Sequence, residues 1–499
     1  MRWKSRALKP FARYISESIK RDAAHAIADQ EKWRGRLISK ASHTLFGKDH
    51  GFNEIKSHRD FKSRIPVRDY EMLSTYVEKI KEGTPNVLWS GKPKYFAKTS
   101  GTTSGVKYIP ISKESIPYHL KAARNALMSF AYRNKCLDIF NGKLIFLSGS
   151  PVLHDVSGIN TGRLSGIVNH EIPSWIKGNQ IPTYETNCIE DREEKLDAIV
   201  KEALQTDLRV ISGIPPWIQM FYDKLIRVSG KETILDIFPN YKIFAYGGVN
   251  FQPYKQCLED LVGNSIPSFE TYPASEGFIA YQDLQEDDGL LLNTNAGIFY
   301  EFVPLSEIHN EQPIRLSLRD IEIDTDYAVI INSNAGLWGY NLGDTVRFVS
   351  KDPYRLVVSG RVKHFISAFG EHVIGKEVEQ ALADIDVHEK ISVSEFTVAP
   401  QVNPKNQSLP YHEWFIEFDQ LPKELDIFAK RLDENMRSQN IYYNDLIRDK
   451  ILQPIVITPL KKGAFRQYMK SIGKLGGQNK VPRLANDRKI ADLLENYKL

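Results

Sequence analysis

Six runs of β-forming residues recur along the chain with helical stretches between several of them: Lys143 to Leu147, Leu208 to Ile211, Tyr241 to Ala245, Gly297 to Phe302, Tyr327 to Ile331 and Thr345 to Val349. Strands that alternate with helices restrict the fold to sheets covered by their own crossovers, the α/β class. Apolar residues at helical spacing over residues 11–48, Arg68 to Lys81 and Lys113 to Arg133 predict a helix-rich beginning. After Arg355-Leu356-Val357-Val358-Ser359-Gly360 the pattern changes. It predicts helix Gly375 to Asp384, strands Ser392 to Val398 and Glu413 to Phe418, helix Lys423 to Arg437 and strand Pro454 to Thr458, a smaller α+β unit. At 499 residues the chain exceeds the roughly 250 to 300 at which single cores stop growing, so more than one domain is required. The expected division is 1–359 and 360–499, with the boundary near Ser359 to His364.

Charge narrows the partners. Lys and Arg total 66 against 62 acidic residues, a formal charge of +4, which implies neither nucleic acid nor another acidic polymer as a partner. Cys136, Cys188 and Cys257 are odd in number and far apart, so no disulfide framework or cysteine zinc site is expected, and a reducing cytoplasm fits. The basic N-terminus lacks the apolar h-region of a signal peptide, and no stretch approaches about 18 consecutive apolar residues, so no integral membrane segment is expected. An amphipathic first helix carrying Trp3, Leu8, Phe11, Tyr14 and Ile15 could touch a membrane surface, although packing on its own domain is the plainer expectation.

Several short motifs could carry chemistry. Thr99-Ser100-Gly101-Thr102-Thr103-Ser104-Gly105 follows the strand-like Tyr95-Phe96-Ala97 and leads through Lys107 into Tyr108-Ile109-Pro110. Two glycines permit a tight turn, and hydroxyls, amides and a lysine could converge on a polyphosphate. Val106 stands where a Walker A loop needs its second glycine, so a P-loop NTPase is disfavoured. Alone, the run is equally a polar hairpin. Tyr272-Pro273-Ala274-Ser275-Glu276-Gly277, after the strand-like Ser268 to Thr271, offers a ring for a purine and a hydroxyl and carboxylate for phosphate and Mg2+, or else an ordinary turn. In Tyr340-Asn341-Leu342-Gly343-Asp344 a carboxylate behind a Gly turn could accept both ribose hydroxyls, though Gly-Asp is equally a plain turn. Gly247-Gly248, after the strand Tyr241 to Ala245, admits a flat ligand or simply turns the chain.

In order, a phosphate loop, a Gly-Gly turn, Tyr-x-x-Ser-Glu, Gly-Asp, Gly360-Arg361-Val362-Lys363-His364 and a small last domain are more specific together than any one of them. The chain resembles the GH3 acyl-acid amido synthetase family, within the adenylate-forming superfamily of acyl-CoA synthetases, luciferases and adenylation domains. The likeness extends over essentially the whole length and into the tail Gly476-Gly477-Gln478-Asn479-Lys480-Val481-Pro482-Arg483. It implies a large adenylate-forming domain with a smaller, mobile C-terminal one, and ATP and Mg2+ as cofactors. It further implies that Thr99, Ser100, Gly101, Thr102, Thr103, Ser104 and Lys107 line the phosphates, with Gly247 and Gly248 beside the nucleotide. Tyr272 would stack on adenine, Ser275 would meet the α-phosphate, Glu276 would hold Mg2+, and Asp344 and Arg361 would reach the ribose. Lys480, with Glu276 and Thr103, would serve catalysis, and Lys363 would lie at the hinge. The chain departs from the plant pattern at Thr99, where Ser is commoner, at Ala274, where a second Ser is usual, and over Leu147 to Trp175.

The implied reaction joins a small carboxylic acid to an amine, an amino acid foremost, through an acyl-adenylate. Pocket walls are sought in Ser212 to Trp217, Phe244 to Asn250 and Ser148 to His154. His154, His170, His364 and His372 are candidate bases, none strictly demanded if the amine arrives neutral. An acyl-CoA ligase, which differs only in its acceptor, and a nucleotide-binding homologue without turnover are the rivals. No Gly-x-Gly-x-x-Gly, His-Glu-x-x-His or Gly-x-Ser-x-Gly occurs, so dehydrogenase, zincin and α/β-hydrolase lack their usual signals.

Overall fold

A computed structural model describes residues 3–100, 106–172, 177–249, 251–284, 289–308, 310–362, 365–389, 393–405, 408–472 and 481–499. It divides into two compact units. The larger is built from Met1–Thr99, Val106–Gly248 and Gln256–Val362, the smaller mainly from Lys363–Leu499. The fold is mixed α/β in the larger unit and α+β in the smaller.

Strands of the larger unit are β1 (Tyr95–Ser100), β2 (Val106–Ile111), β3 (Lys143–Phe146), β4 (His154–Val156), β5 (Ile159–Gly162), β6 (Gln180–Ile181), β7 (Leu208–Ser212) and β8 (Ile243–Gly247). They continue as β9 (Ser268–Ala274), β10 (Gly277–Tyr281), β11 (Leu290–Leu292), β12 (Ile298–Pro304), β13 (Asp326–Ser333), β14 (Tyr340–Lys351) and β15 (Tyr354–Arg361). Among the described residues, eleven strands form one sheet in the order β12-β13-β14-β15-β11-β10-β9-β8-β7-β3-β6. From β6 to β9 every pairing is parallel. From β9 to β12 every pairing is antiparallel. The change of direction has a local cause: parallel neighbours need helical crossovers such as Pro215–Ser229, whereas β9 and β10 are joined by only Ser275 and Glu276. A second sheet has the order β2-β1-β5-β4.

On one face of the large sheet, Val210, Ile243, Ala245, Phe269 and Tyr281 are buried in a core shared with Ala122, Ala126 and Phe130 of helix Ile116–Arg133 and Ala12, Ile15 and Ile19 of helix Trp3–Ala24. The first helix therefore packs on its own domain. Phe11 and Tyr14 nevertheless remain 43% and 63% exposed, each with an arginine over its ring, Arg124 and Arg21 respectively. No helix among the described residues is long and apolar enough to cross a membrane.

Charge is buried in this unit with care. Glu301 of β12 is fully buried, paired with Arg315 and accepting from Asn332 Nδ2 at 3.1 Å, with His58 Nε2 at 2.8 Å. Burial alone would raise its carboxyl, but Arg315 and then His58 outweigh burial and hold it at about 2. A depressed carboxyl stabilises the fold above its unfolded value of 4.5, and that contribution is lost as pH falls from there through about 2. Glu301→Ala should destabilise the larger unit by about 3 to 5 kcal/mol by stranding the Arg315 charge. Thermal melts of the variant at neutral pH check this, and an unchanged midpoint would contradict it.

The smaller unit pairs β16 (Phe365–Ile366) with β17 (Val373–Ile374) and sets β18 (Val393–Gln401), β19 (Tyr411–Phe418) and β20 (Val456–Leu460) in a three-stranded sheet. Because β19 and β20 are parallel, the chain must cross over between them, which it does through helices Leu425–Gln439 and Ile441–Arg448.

Candidate active site

Ligands of α/β sheets gather at the carboxyl ends of parallel strands. At the end of β8, Gly247 lies so close to β9 that a Cβ there would sit 2.3 Å from the Thr271 carbonyl oxygen, and Gly248 adopts φ +83°. The pair thus has a backbone reason for both glycines, and the space beside Gly248 is open. At the end of β9 the chain turns on Ser275 and Glu276, both half-buried.

Opposite stands β14, and here the expected turn is corrected: Tyr340 to Asp344 are part of the strand itself. They bulge from it, because Ala328 pairs with Thr345 and Ile330 with Asn341, leaving Leu342, Gly343 and Asp344 opposite Val329 alone. Gly343 takes φ +89° and donates its N–H to Asn341 Oδ1 at 2.9 Å. Such bulges re-aim side chains, and this one brings Asp344 to Tyr272, whose Oη donates to Asp344 Oδ2 at 2.7 Å. Four residues earlier, Tyr340 Oη donates to Glu276 Oε1 at 3.2 Å. Two hydrogen bonds therefore tie the β9–β10 turn region to one end of β14.

Glu276 is held above its ordinary value, first by burial and further by the Asp344 charge, while Lys107 and the Tyr340 hydrogen bond oppose. Lys107, on β2, lies with Nζ 5.8 Å from the ring centroid of Tyr70, whose hydroxyl accepts from the Tyr108 N–H at 2.9 Å. Thus Tyr272, Glu276, Asp344 and Lys107 are brought together, with Ser275 in the same turn. Thr99 is half-buried near the end of β1, and Arg361 pairs with Asp344 across β14 and β15. The side chains of Ser100 and Arg361, and Gly101, Thr102, Thr103, Ser104, Gly105, Lys363, His364 and Lys480 entirely, lie outside the described residues.

Among the candidate bases, His154 is exposed, His170 contacts the Pro151 carbonyl at 2.7 Å, and His372 contacts Ser367 Oγ at 2.8 Å. Of the sought pocket walls, Phe244 is buried on β8 and Trp217 is half-buried on helix Pro215–Ser229. Sequence reasoning gave no separate role to Tyr340 or Tyr70, which orient Glu276 and neighbour Lys107. The available signal for Tyr340 was its place at the head of the Gly-Asp motif. It also passed over Glu270, two residues before Tyr272.

Three family models match: the GH3 family N-terminal domain over residues 15–220, the central domain over 291–361 and the C-terminal domain over 376–489. The chain belongs to the GH3 family. Thr99 to Lys107 fall in the N-terminal match, Asp344 and Arg361 in the central match and Lys480 in the C-terminal match, with Gly247 to Glu276 between the first two. Relatives include a jasmonoyl–L-amino acid synthetase, GH3.5, of Oryza sativa subsp. japonica, 23% identical over 94% of this chain and 94% of the relative. Another is an indole-3-acetic acid-amido synthetase, GH3.4, of Arabidopsis thaliana, 24% identical over 94% of this chain and 90% of the relative. The fold is shared with the solved GH3.15 acyl acid amido synthetase in complex with 2,4-DB, with a TM-score of 0.62 at 16% identity over 97% of this chain and 96% of that one. GH3 relatives of similar identity thus carry the names of different acids.

Proposed function

We propose that this GH3 protein is an ATP-dependent ligase that activates a carboxylic acid as an acyl-adenylate, releases pyrophosphate and transfers the acyl group to the amine of an amino acid. One observation carries most of this reading: Tyr272–Asp344 and Tyr340–Glu276 join two carboxylates of different chain segments at the carboxyl end of the parallel strands. Family membership supports it. Asp344, whose carboxylate can accept two hydroxyl donors, is assigned to the ribose, with Arg361 beside it in register. Tyr272 is assigned to the adenine ring, Ser275 to the α-phosphate, and Thr99 to Ser104 with Lys107 to the departing phosphates. Gly247 and Gly248 keep the backbone low beside the nucleotide.

A divalent cation fits Glu276. Its carboxyl is held up by burial and by Asp344, so added positive charge would be favourable there. No three His, Cys, Asp or Glu side chains among the described residues form a self-contained cage, and Mg2+ is commonly held by one carboxylate with phosphate and water oxygens completing the shell. When bound, it would supply Lewis-acid offset of phosphate charge. The protein's own part is Lys107 and Lys480 as cations toward phosphate, Tyr340 orienting Glu276, and Tyr272 orienting Asp344.

The two compact units are proposed as the two domains of this enzyme, dividing near residues 359–364, with the smaller rotating between half-reactions about Lys363. Three free cysteines suit a reducing cytoplasm. To test the acceptor, the protein is given ATP, Mg2+, a panel of aromatic and fatty acids and a mixture of amino acids and CoA, and products are read by mass. An acyl–amino acid amide is expected. A CoA thioester without amide would make it an acyl-CoA ligase instead.

A further inference from the structure

We infer that Glu270 receives the ammonium of the acceptor and takes its proton before the amine attacks the acyl-adenylate, an inference that rests on the proposed ligase activity. Glu270 lies on β9 two residues before Tyr272, so the two side chains leave the same face of the sheet, about 7 Å apart along the strand. On β8 its parallel register partner is Tyr246, which packs against Phe244 with ring centroids 5.5 Å apart. The site of Glu270 is therefore next to the candidate adenine position and beside two aromatic rings, within one of the segments sought for the acyl pocket. Its backbone is fixed on both sides of the peptide: its N–H donates to Gln282 Oε1 at 3.1 Å, and its carbonyl accepts from the Gln282 N–H at 2.8 Å.

The carboxylate itself is half-buried and makes no ion pair among the described residues. Tyr246 is the titratable group facing it from β8, Tyr272 shares its own strand face, and Gln282, just past β10, is uncharged. Burial pushes its carboxyl up to about 7, and its charge in turn contributes to raising the Tyr246 phenol, after burial. A carboxylate desolvated beside aromatic rings and lacking a cation is a receptor for one, since both carboxylate and ring faces attract an ammonium. Its proton affinity near neutrality also suits a general base.

The amino acid's ammonium gives one proton to the Glu270 carboxylate. The freed nitrogen lone pair forms the C–N bond at the acyl carbonyl carbon as the C–O bond to AMP breaks, with the electron pair leaving on the phosphate oxygen. The second nitrogen proton goes to solvent, as does the proton held by Glu270.

Glu270→Gln keeps shape and removes the base. Three rates are compared with wild type: acid-dependent pyrophosphate exchange, hydroxamate formation with hydroxylamine, which is largely unprotonated at neutral pH, and amide formation with an amino acid from pH 6 to 9. Exchange and hydroxamate should stay close to wild type. Amide formation at pH 7 should fall about 100-fold, with the deficit shrinking as pH rises and the amine deprotonates unaided. An undiminished amide rate, a deficit independent of pH, or an equal loss of all three rates would overturn the assignment. Absence of exchange in the wild type would instead overturn the ligase reading on which it rests.

Discussion

Lys480→Ala is expected to lower acid-dependent pyrophosphate exchange by about 100- to 1000-fold while ATP still binds. The reason is electrostatic. A carboxylate and the α-phosphate are both anions, and the attack that joins them adds charge to phosphorus before pyrophosphate leaves. A cation placed between them strengthens as that charge develops, so its removal acts on rate more than on ground-state affinity. Lys480 is assigned this place because the tail Gly476 to Arg483 resembles the GH3 pattern and lies within the matched C-terminal domain. Lys480→Arg keeps the charge but spreads it over a planar fork, so partial recovery is expected. Exchange in the alanine variant at the wild-type rate would remove Lys480 from the mechanism.

Asp344→Ala is expected to weaken ATP binding by roughly 10- to 100-fold, the loss of one or two hydrogen bonds to a charged acceptor at about 1.5 to 3 kcal/mol. The structure adds a second consequence. Tyr272 loses the acceptor of its 2.7 Å hydrogen bond, so the ring assigned to adenine is no longer held from that side. Tyr272→Phe separates the two effects, because it removes the hydroxyl and leaves the carboxylate to the ribose, and its loss of affinity should be the smaller. Removing the Asp344 charge should also let the Glu276 carboxyl move down toward its ordinary value, since Asp344 helps to hold it up. A nucleotide Kd unchanged in Asp344→Ala would rule out the ribose assignment.

Local sequence carried much of the fold. Leu208 to Ile211 and Glu413 to Phe418 are apolar or alternating runs of strand length, and both are strands in the structure, as β7 and β19. The Gly343-Asp344 pair was harder, because Asn, Gly and Asp are poor strand formers and signal a turn on their own. Only the pairing of β14 with β13 shows that they bulge within a strand. The runs at Gly297 to Phe302, Tyr327 to Ile331 and Thr345 to Val349 are strands of the antiparallel half, β12, β13 and β14, whereas β15 is not legible locally: Tyr354–Arg361 reads as a change of pattern until β14 is beside it. For the candidate site, the sequence named Tyr272, Glu276, Asp344 and Lys107 as separate guesses. Their association depends on contacts across 72 positions in the case of Tyr272 and Asp344, which no local window contains. Glu270 does not stand out in the sequence because a single Glu in a strand-like run is unremarkable until its burial is known, together with the lack of an ion pair among the described residues.

The central claim is that this GH3 protein makes an acyl-adenylate, and labelled pyrophosphate exchange into ATP tests it most directly. With Mg2+ and a broad panel of aromatic and fatty acids, label should enter ATP only when a suitable acid is present, and no amine should be needed. Nucleotide binding without exchange across the whole panel would contradict the claim and leave a nucleotide-binding protein that does not turn over.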